Sequence, residues 1–492
     1  MTDESDKQVE LTITMDTDSL DSFSSDEETE QETMEEEDLI ACIPTIYELT
    51  DEYIRFHILD MHEPKFHNTM NNEICDLLLM EWENTDICSE DQKAELLRHC
   101  ETITNNYFEL GIACVPPRSN SQHHRPQKQI SKEIHQKTIE SILAIHQPEQ
   151  RTTEWYEFRH NLLSASSLGK IFGTEASQNR LIYEKCQPLN THKFSGATCV
   201  SSPMHWGQKY EPLSVALYEE MYDTKVGEFG CIQHKDYSFI GASPDGIVIK
   251  KDCPRYGRMV EIKNIVNRPI TGIPLKDYWI QMQIQMEVCN LEHCDFLETR
   301  FKEYENEEDF WKEEDDSKKR GVILYFVERV SICDNESDTQ ERRPRSNTYP
   351  RMDEEGPNSP KGFALAQEYS GIPRYEYMPL DIPLEKEAIN QWIEQTRARL
   401  RRSWSLYTPI YWYLDELSCV VVQRNHLWFE QALPQIESTW NTILKERETG
   451  CEHRAPSKKV VKIMSLEVVE KEGGEKEVRN FPFQKGVCLV KL

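Results

Sequence analysis

The sequence predicts a mixed α/β core, and three observations over residues 138–330 carry that reading. Apolar residues at helical spacing alternate with short β-rich runs. The runs Phe239-Ile240-Gly241, Ile247-Val248-Ile249 and Met259-Val260-Glu261-Ile262 are brief and rich in β-branched residues. Turn residues such as Ser243-Pro244-Asp245-Gly246 separate them. At 492 residues the chain exceeds one ordinary domain, so the core should carry further domains or appendages.

Composition excludes several classes. No apolar stretch approaches the ~20 residues of a membrane span, and the acidic start is unlike a signal sequence, so an intracellular protein with no membrane partner is expected. The 15 cysteines are scattered from Cys42 to Cys488 without a C-x-x-C pair, which fits reduced thiols rather than a disulfide framework. Cys289, His293 and Cys294 come nearest to a zinc set, but they lack a fourth ligand at finger-like spacing and read as core. A net charge of −31 sits awkwardly with phosphate binding until its distribution is considered. Residues 1–40 alone hold 16 Asp and Glu against one Lys.

The organisation follows from these shifts in composition. Residues 1–40 should be a disordered acidic tail. Residues 41–115 read as a small helical region, with apolar positions including Ile54, Phe56, Ile58, Ile74, Leu77 and Leu78. Residues 116–137, with Arg118, His123, His124, Arg125 and Lys128, read as a basic linker that is either solvated or DNA-touching. The core follows at 138–330 and a mobile loop at 331–361. A C-terminal section, 362–492, should pack on the core. It contains a helix from Leu384 to Arg402, aromatic residues from Trp404 to Tyr413, a strand at Cys419–Gln423 and a helix from Trp428 to Glu446.

Candidate chemistry is confined to residues 154–286. Glu154-Trp155-Tyr156-Glu157-Phe158-Arg159 precedes Leu163-Ser164-Ala165-Ser166-Ser167 at a helix start, where hydroxyls cap amides or, with a guanidinium, cradle phosphate. Trp206-Gly207-Gln208-Lys209-Tyr210-Glu211 opens an amphipathic helix. Asp245 occupies a tight turn, as Asp before Gly commonly does. Strand alternation sends Glu261 and Lys263 to one face and Val260 and Ile262 to the other, which suits either a metal-and-water site or a plain ion pair. Tyr278 to Met286 is a helix carrying Gln281 and Gln285 one turn apart.

Each fragment alone has a structural explanation, but their order resembles that of the YqaJ-type viral recombinase family, which includes bacteriophage lambda exonuclease. The resemblance covers about residues 150–300. It rests on the Phe-Arg…Ser-Ala-Ser, Trp-Gly-x-x-Tyr-Glu, Ser-Pro-Asp-Gly, Glu-x-Lys and Tyr-x-x-Gln-x-Gln-x-x-Met elements.

The resemblance implies a PD-(D/E)XK (restriction-endonuclease-like) nuclease core, a mixed central sheet flanked by helices, with helical N-terminal and α/β C-terminal additions. It implies that Asp245 and Glu261 hold two Mg²⁺ ions, with Mn²⁺ a substitute, and that Glu211 and the Ile262 carbonyl complete the set. Lys263 would position or deprotonate the attacking water, and Gln281 would orient the water or the scissile phosphate. Arg159, Ser166 and Ser243 would grip a terminal 5′-phosphate.

The implied activity is 5′→3′ hydrolysis from double-stranded DNA ends in viral recombination, repair or replication, inside an infected host cell. A single-strand annealing protein would be a partner. The lambda relative is a trimer, which makes an oligomer the family expectation. Two rivals stay open: an endonuclease or RNA-degrading host-shutoff enzyme on the same fold, and a non-catalytic DNA-binding scaffold. Arg345 to Pro350 also resembles a phosphothreonine docking motif centred on Thr348.

Overall fold

The computed structural model describes residues 36–82, 90–119, 130–148, 152–189, 202–315, 317–329, 373–456, 466–470 and 476–480. Among these, no helix is long and apolar enough to cross a membrane.

The N-terminal part is helical: α1 (Glu36–Ala41), α2 (Ile43–His57), α3 (Phe66–Trp82) and α4 (Glu90–Glu109). The expected tail therefore ends earlier than residue 40. Residues 1–35 lie outside the described residues, and 36–40 form most of α1, where Glu36, Glu37 and Asp38 occupy the first turn and complement the helix dipole. Helix α5 (Lys132–Ala144), capped by Ser131, takes up the end of the expected linker, and residues 120–129 are outside the described set. Arg118 is not on the surface at all. It is 2% exposed, and its Nη2 donates to the His62 carbonyl at 2.9 Å. Burial pushes its pKa down to about 10.

The core begins with α6 (Thr153–His160), β1 (Leu163–Ser164), α7 (Ala165–Leu168), α8 (Glu175–Cys186) and α9 (Pro203–Met221). Ser202 caps α9, and Pro203 takes its first turn, where a missing N–H costs nothing. Strands β2 (Val226–Gly227), β3 (Ile232–Gln233), β4 (Ile240–Ala242), β5 (Gly246–Val248) and β6 (Met259–Asn264) lead to α10 (Lys276–Cys289). Asn290, at φ 51°, ends that helix in the left-handed conformation Asn tolerates. Then follow β7 (His293–Glu303), α11 (Glu307–Trp311), β8 (Arg320–Glu328), β9 (Arg374–Tyr377), α12 (Lys386–Leu400), β10 (Trp404–Gln423) and α13 (His426–Thr449). A separate hairpin pairs β11 (Leu466–Glu470) with β12 (Lys476–Asn480).

Among the described residues the main sheet has seven strands in the order β2-β5-β6-β7-β10-β8-β9, and β1-β4-β3 form a smaller one. The β6–β7 pair is parallel and the other pairs of the main sheet are antiparallel, so the sheet is mixed.

The C-terminal section does not simply pack on a finished core. Its strand β10 lies inside the sheet, between β7 and β8, and runs for 20 residues rather than the five expected from Cys419 to Gln423. The aromatic run from Trp404 to Tyr413 is part of that strand. Pro409 is accommodated because it lies where β10 pairs with β8, before pairing with β7 begins at Trp412. Trp412 is 1% exposed and lies directly opposite Gly321. A side chain there is excluded, since a Cβ on Gly321 would come within 2.9 Å of the indole.

The N-terminal helices share the core as well. Trp279 of α10 packs edge-on against Trp428 of α13 at 5.2 Å, and its Nε1 donates to the Arg118 carbonyl at 2.9 Å. One apolar cluster thus runs from Ile46 and Met61 through Trp279 to Trp428. Cys289 and Cys294 belong to it as buried thiols. Two of the apolar positions that marked these helices lie outside this core: Phe56 is 77% exposed and Leu77 51%. The loop expected at 331–361, with Thr348, lies outside the described residues.

Removing the Trp412 indole leaves a cavity between strands that local collapse cannot fill. Trp412→Ala should cost about 3–5 kcal/mol, measured by urea unfolding of the full chain. A loss near zero would place β10 outside the main sheet.

Candidate active site

The β4–β5 turn and strand β6 bring two acids together. Asp245 stands just before β5, and its Oδ2 accepts the backbone N–H of Ile262 at 2.7 Å. Glu261 is fully buried on the β6 face covered by α10. Its two oxygens are clasped separately: Oε1 accepts from Gln281 Nε2 at 2.7 Å and from the Lys263 ammonium, and Oε2 accepts from Gln285 Nε2 at 2.8 Å. Gln285 also donates to the Ser243 carbonyl at 3.2 Å, tying the Asp245 turn to the same helix. The intervening Gln283 points elsewhere. It fastens α10 to the end of β10 through the Gln423 carbonyl and the Asn425 N–H.

Burial and the neighbouring Glu261 charge raise the Asp245 carboxyl well above its ordinary pKa. Glu211 adds to the rise, while Lys263 and the Ile262 N–H oppose it. The Lys263 pKa is raised as well, which in a lysine favours the charged form. Burial opposes its charge, but Glu261 and Asp245 outweigh that and lift its pKa. Its ammonium also lies 4.9 Å from the Tyr278 ring centroid. In this arrangement Lys263 is a firmly charged donor, suited to holding an oxygen rather than removing a proton.

Glu211 is placed differently from Asp245 and Glu261. It is exposed on α9 and feels Asp245 through space. Among the described residues no three His, Cys, Asp or Glu side chains are gathered in metal-holding geometry, so the three-acid convergence expected from the sequence is not fully drawn together. Asn264 sets the position of α9. Its Nδ2 donates to the Gly207 carbonyl at 3.0 Å, while its Oδ1 accepts from Ser214 at 2.7 Å and Thr299 at 2.8 Å. Sequence reasoning missed Asn264, although it directly follows the Glu-x-Lys element.

The carboxylates of Asp245 and Glu261 are the oxygen donors a hard divalent cation takes, and burial and the Glu261 charge together destabilise Asp245 as an anion.

The residues expected to hold a terminal phosphate follow from the smaller sheet. Strands β1 and β4 are parallel with Ser164 opposite Gly241, so the segments leading to Ser166 and to Ser243 leave it at the same end. Ser166 is exposed, at 3.3 Å from Ser164 Oγ. The Ser243 hydroxyl is buried, next to the Cys231 thiol. Arg159, stacked 4.6 Å over Trp155, acts electrostatically on Cys231, the thiol beside Ser243.

Two further cations, missed in the sequence, brace this corner. Lys185 Nζ donates to the carbonyls of Arg159 at 2.6 Å and Leu162 at 2.7 Å, and Arg447 Nη2 donates to that of His160 at 2.8 Å. Burial, then Arg159 and Arg447, bring the Lys185 ammonium down to about 8.

Residues 154–292 match the family model of the YqaJ-like viral recombinase domain. That segment of the chain is similar to the YqaJ-like domain. Asp245 in the turn and Glu261 and Lys263 on β6 all lie within the matched segment.

The chain is also similar to an uncharacterized protein of Acanthamoeba polyphaga mimivirus, 25% identical over 363 residues. That alignment covers 67% of this chain and 59% of the viral protein's length. Among solved structures it is similar to an alkaline exonuclease from Laribacter hongkongensis, with 17% identity, a TM-score of 0.29, and coverage of 61% of this chain and 95% of that one. The same enzyme in complex with dAMP gives 18% identity and the same TM-score of 0.29.

The electrostatics give a prediction independent of activity. Because the folded Asp245 holds its proton more tightly than the unfolded residue, ionisation destabilises the fold as pH rises from the ordinary carboxylate range toward the raised value. In divalent-free buffer, Asp245→Asn should therefore raise the melting temperature at neutral pH, and the gain should shrink toward pH 4. A variant less stable than the wild type at pH 7 would contradict the placement.

Proposed function

We propose that this chain is a metal-dependent DNA nuclease that degrades duplex ends 5′→3′, in viral recombination, repair or replication. One observation carries the reading: the buried Glu261, clasped by Lys263, Gln281 and Gln285 beside Asp245, stands next to a cationic and hydroxyl-bearing corner.

In this reading Asp245, Glu261 and the Ile262 carbonyl hold Mg²⁺, with Mn²⁺ a substitute, and Glu211 contributes from α9. When bound, the cations supply Lewis-acid charge to the phosphodiester and make a bound water acidic enough to attack.

The chain's own residues do the rest. Lys263, charged and buried, fixes the attacking oxygen by hydrogen bonding and offsets charge that grows on the phosphate. Gln281 shares Glu261 Oε1 with Lys263 and orients the same region. Gln285 takes the other carboxylate oxygen, so Glu261 cannot rotate away. Arg159, flattened on Trp155, presents its guanidinium edge to a terminal phosphate, with the Ser166 and Ser243 hydroxyls as further donors. Lys185 and Arg447 keep the α6 backbone, and with it Arg159, in place. A strand left single by this reaction is a substrate for a single-strand annealing partner.

Two measurements test the reading. Lys263→Ala should abolish Mg²⁺-dependent release of nucleotides from end-labelled duplex DNA while circular dichroism stays that of the wild type. Full turnover by that variant would remove Lys263 from the mechanism.

Arg159→Lys keeps the charge but loses the planar fork. A charged hydrogen bond is worth ~1.5–3 kcal/mol, so kcat/KM on 5′-phosphorylated ends should fall about ten- to a hundredfold. Activity on 5′-hydroxyl ends should change little. If wild-type enzyme digests both ends equally, or cuts closed circles as fast as linear DNA, the end-directed part of the reading fails. The site would then belong to an endonuclease or an RNA-cleaving enzyme.

A further inference from the structure

Ahead of the YqaJ-like domain, helices α2 and α3 leave an apolar groove open to solvent. Leu49, Tyr53 and Phe56 form one wall and Ile74 and Leu77 the other, enclosing about 190 Å³. The floor is built normally, with Ile74 only 1% exposed. The lips are not: Phe56, Leu77 and Met80 are 77%, 51% and 63% exposed. Leu49, Glu52, Tyr53 and Phe56 recur at i, i+3, i+4 and i+7, and Leu77 and Met80 at i and i+3, so each set lies along one helix face. Single exposed apolar residues are ordinary, but a contiguous pair of stripes flanking a cleft marks a binding surface.

Apart from His57, the charged side chains lining the groove are carboxylates. Glu52 and Glu73 line the groove, and Glu48 and Glu81 extend it by one helical turn. After burial, the Glu73 charge is the largest cause of the raised Tyr53 phenol pKa, which places that carboxylate beside the ring. His57, on the α2 side, stacks on Tyr53 at 4.4 Å and turns its Nδ1 to Asp60 at 3.3 Å.

We propose that this groove docks a basic amphipathic helix of a partner protein. Apolar anchors at i, i+3 or i+4 and i+7 fill a cleft of this form, and flanking Lys or Arg side chains meet Glu52 and Glu73. The charge argues against the two occupants nearest to hand. Residues 1–35 are themselves acidic, and a second copy of the chain docked groove to groove would set acid against acid. The groove lies outside residues 154–292 and uses no residue of the candidate active site.

The probe is a fluorescein-labelled synthetic helical peptide with Leu at i, i+3, i+4 and i+7 and Lys on its other face, titrated with the full chain by fluorescence anisotropy. The expected result is saturable binding that weakens at least about tenfold in Phe56→Ser, in Leu77→Ser and in Glu52→Lys with Glu73→Lys. Phe56 is exposed, so its loss should leave folding and nuclease turnover at wild-type levels.

A peptide with Glu in place of Lys should fail to bind. Equal binding of the two peptides, or binding indifferent to Phe56→Ser, would overturn the proposal. So would sedimentation showing a dimer of the chain that Phe56→Ser dissolves, since the groove would then belong to a second copy.

Discussion

Glu261 is a carboxylate buried completely in the middle of a sheet face, and the surrounding structure is arranged so that its charge can exist there. An unpaired ion in such a position costs several kcal/mol. Here Lys263 and Gln281 converge on one oxygen and Gln285 takes the other. Each needs a different part of the fold. Lys263 needs strand alternation to share a face with Glu261, and the two glutamines need α10 laid across β6 with adjacent turns facing it. Asp245 then arrives from the neighbouring hairpin, held by the Ile262 N–H, and its own charge is poorly tolerated. A second acid beside a first that is already satisfied creates a standing demand for positive charge, which a divalent cation meets in the proposed function.

The sheet that carries this pair is anchored at several other points. Strand β10 locks the outer strands to β7, Gln283 joins its end to α10, and Asn264 joins β6 to α9. The C-terminal helix contributes as well, since Arg447 of α13 secures the carbonyl end of α6, which carries Arg159. Regions outside residues 154–292 therefore shape the geometry within them. The N-terminal helices join the same apolar cluster through Met61 and Arg118, yet keep the groove around Phe56 uncovered.

Much of the candidate site was legible because its signals are local. A turn Asp, a Glu-x-Lys on a strand and glutamines one helical turn apart fix relative directions within a few residues. Glu211 was harder, because its distance from Asp245 depends on how α9 is seated, and Asn264, Ser214 and Thr299 set that only in three dimensions. Lys185 and Arg447 left no sequence signal, as their partners are backbone carbonyls distant in the chain.

Strand β10 was shortened in the reading because Pro409, Asp415 and Glu416 interrupt its apolar pattern; a register shift falls at Asp415, and Pro409 stays in register opposite Leu324 of β8. Phe56 and Leu77 fitted a helical core pattern, but periodicity tells which residues share a face and not whether anything covers it.

The central claim is that Asp245 and Glu261 form a cation site. Isothermal titration of the full chain with Mn²⁺, with catalytic turnover prevented by Lys263→Ala, tests it most directly. The account predicts saturable binding that Glu261→Gln removes, since that substitution keeps the shape and loses the charge. Binding of undiminished strength in the Glu261→Gln background would contradict it.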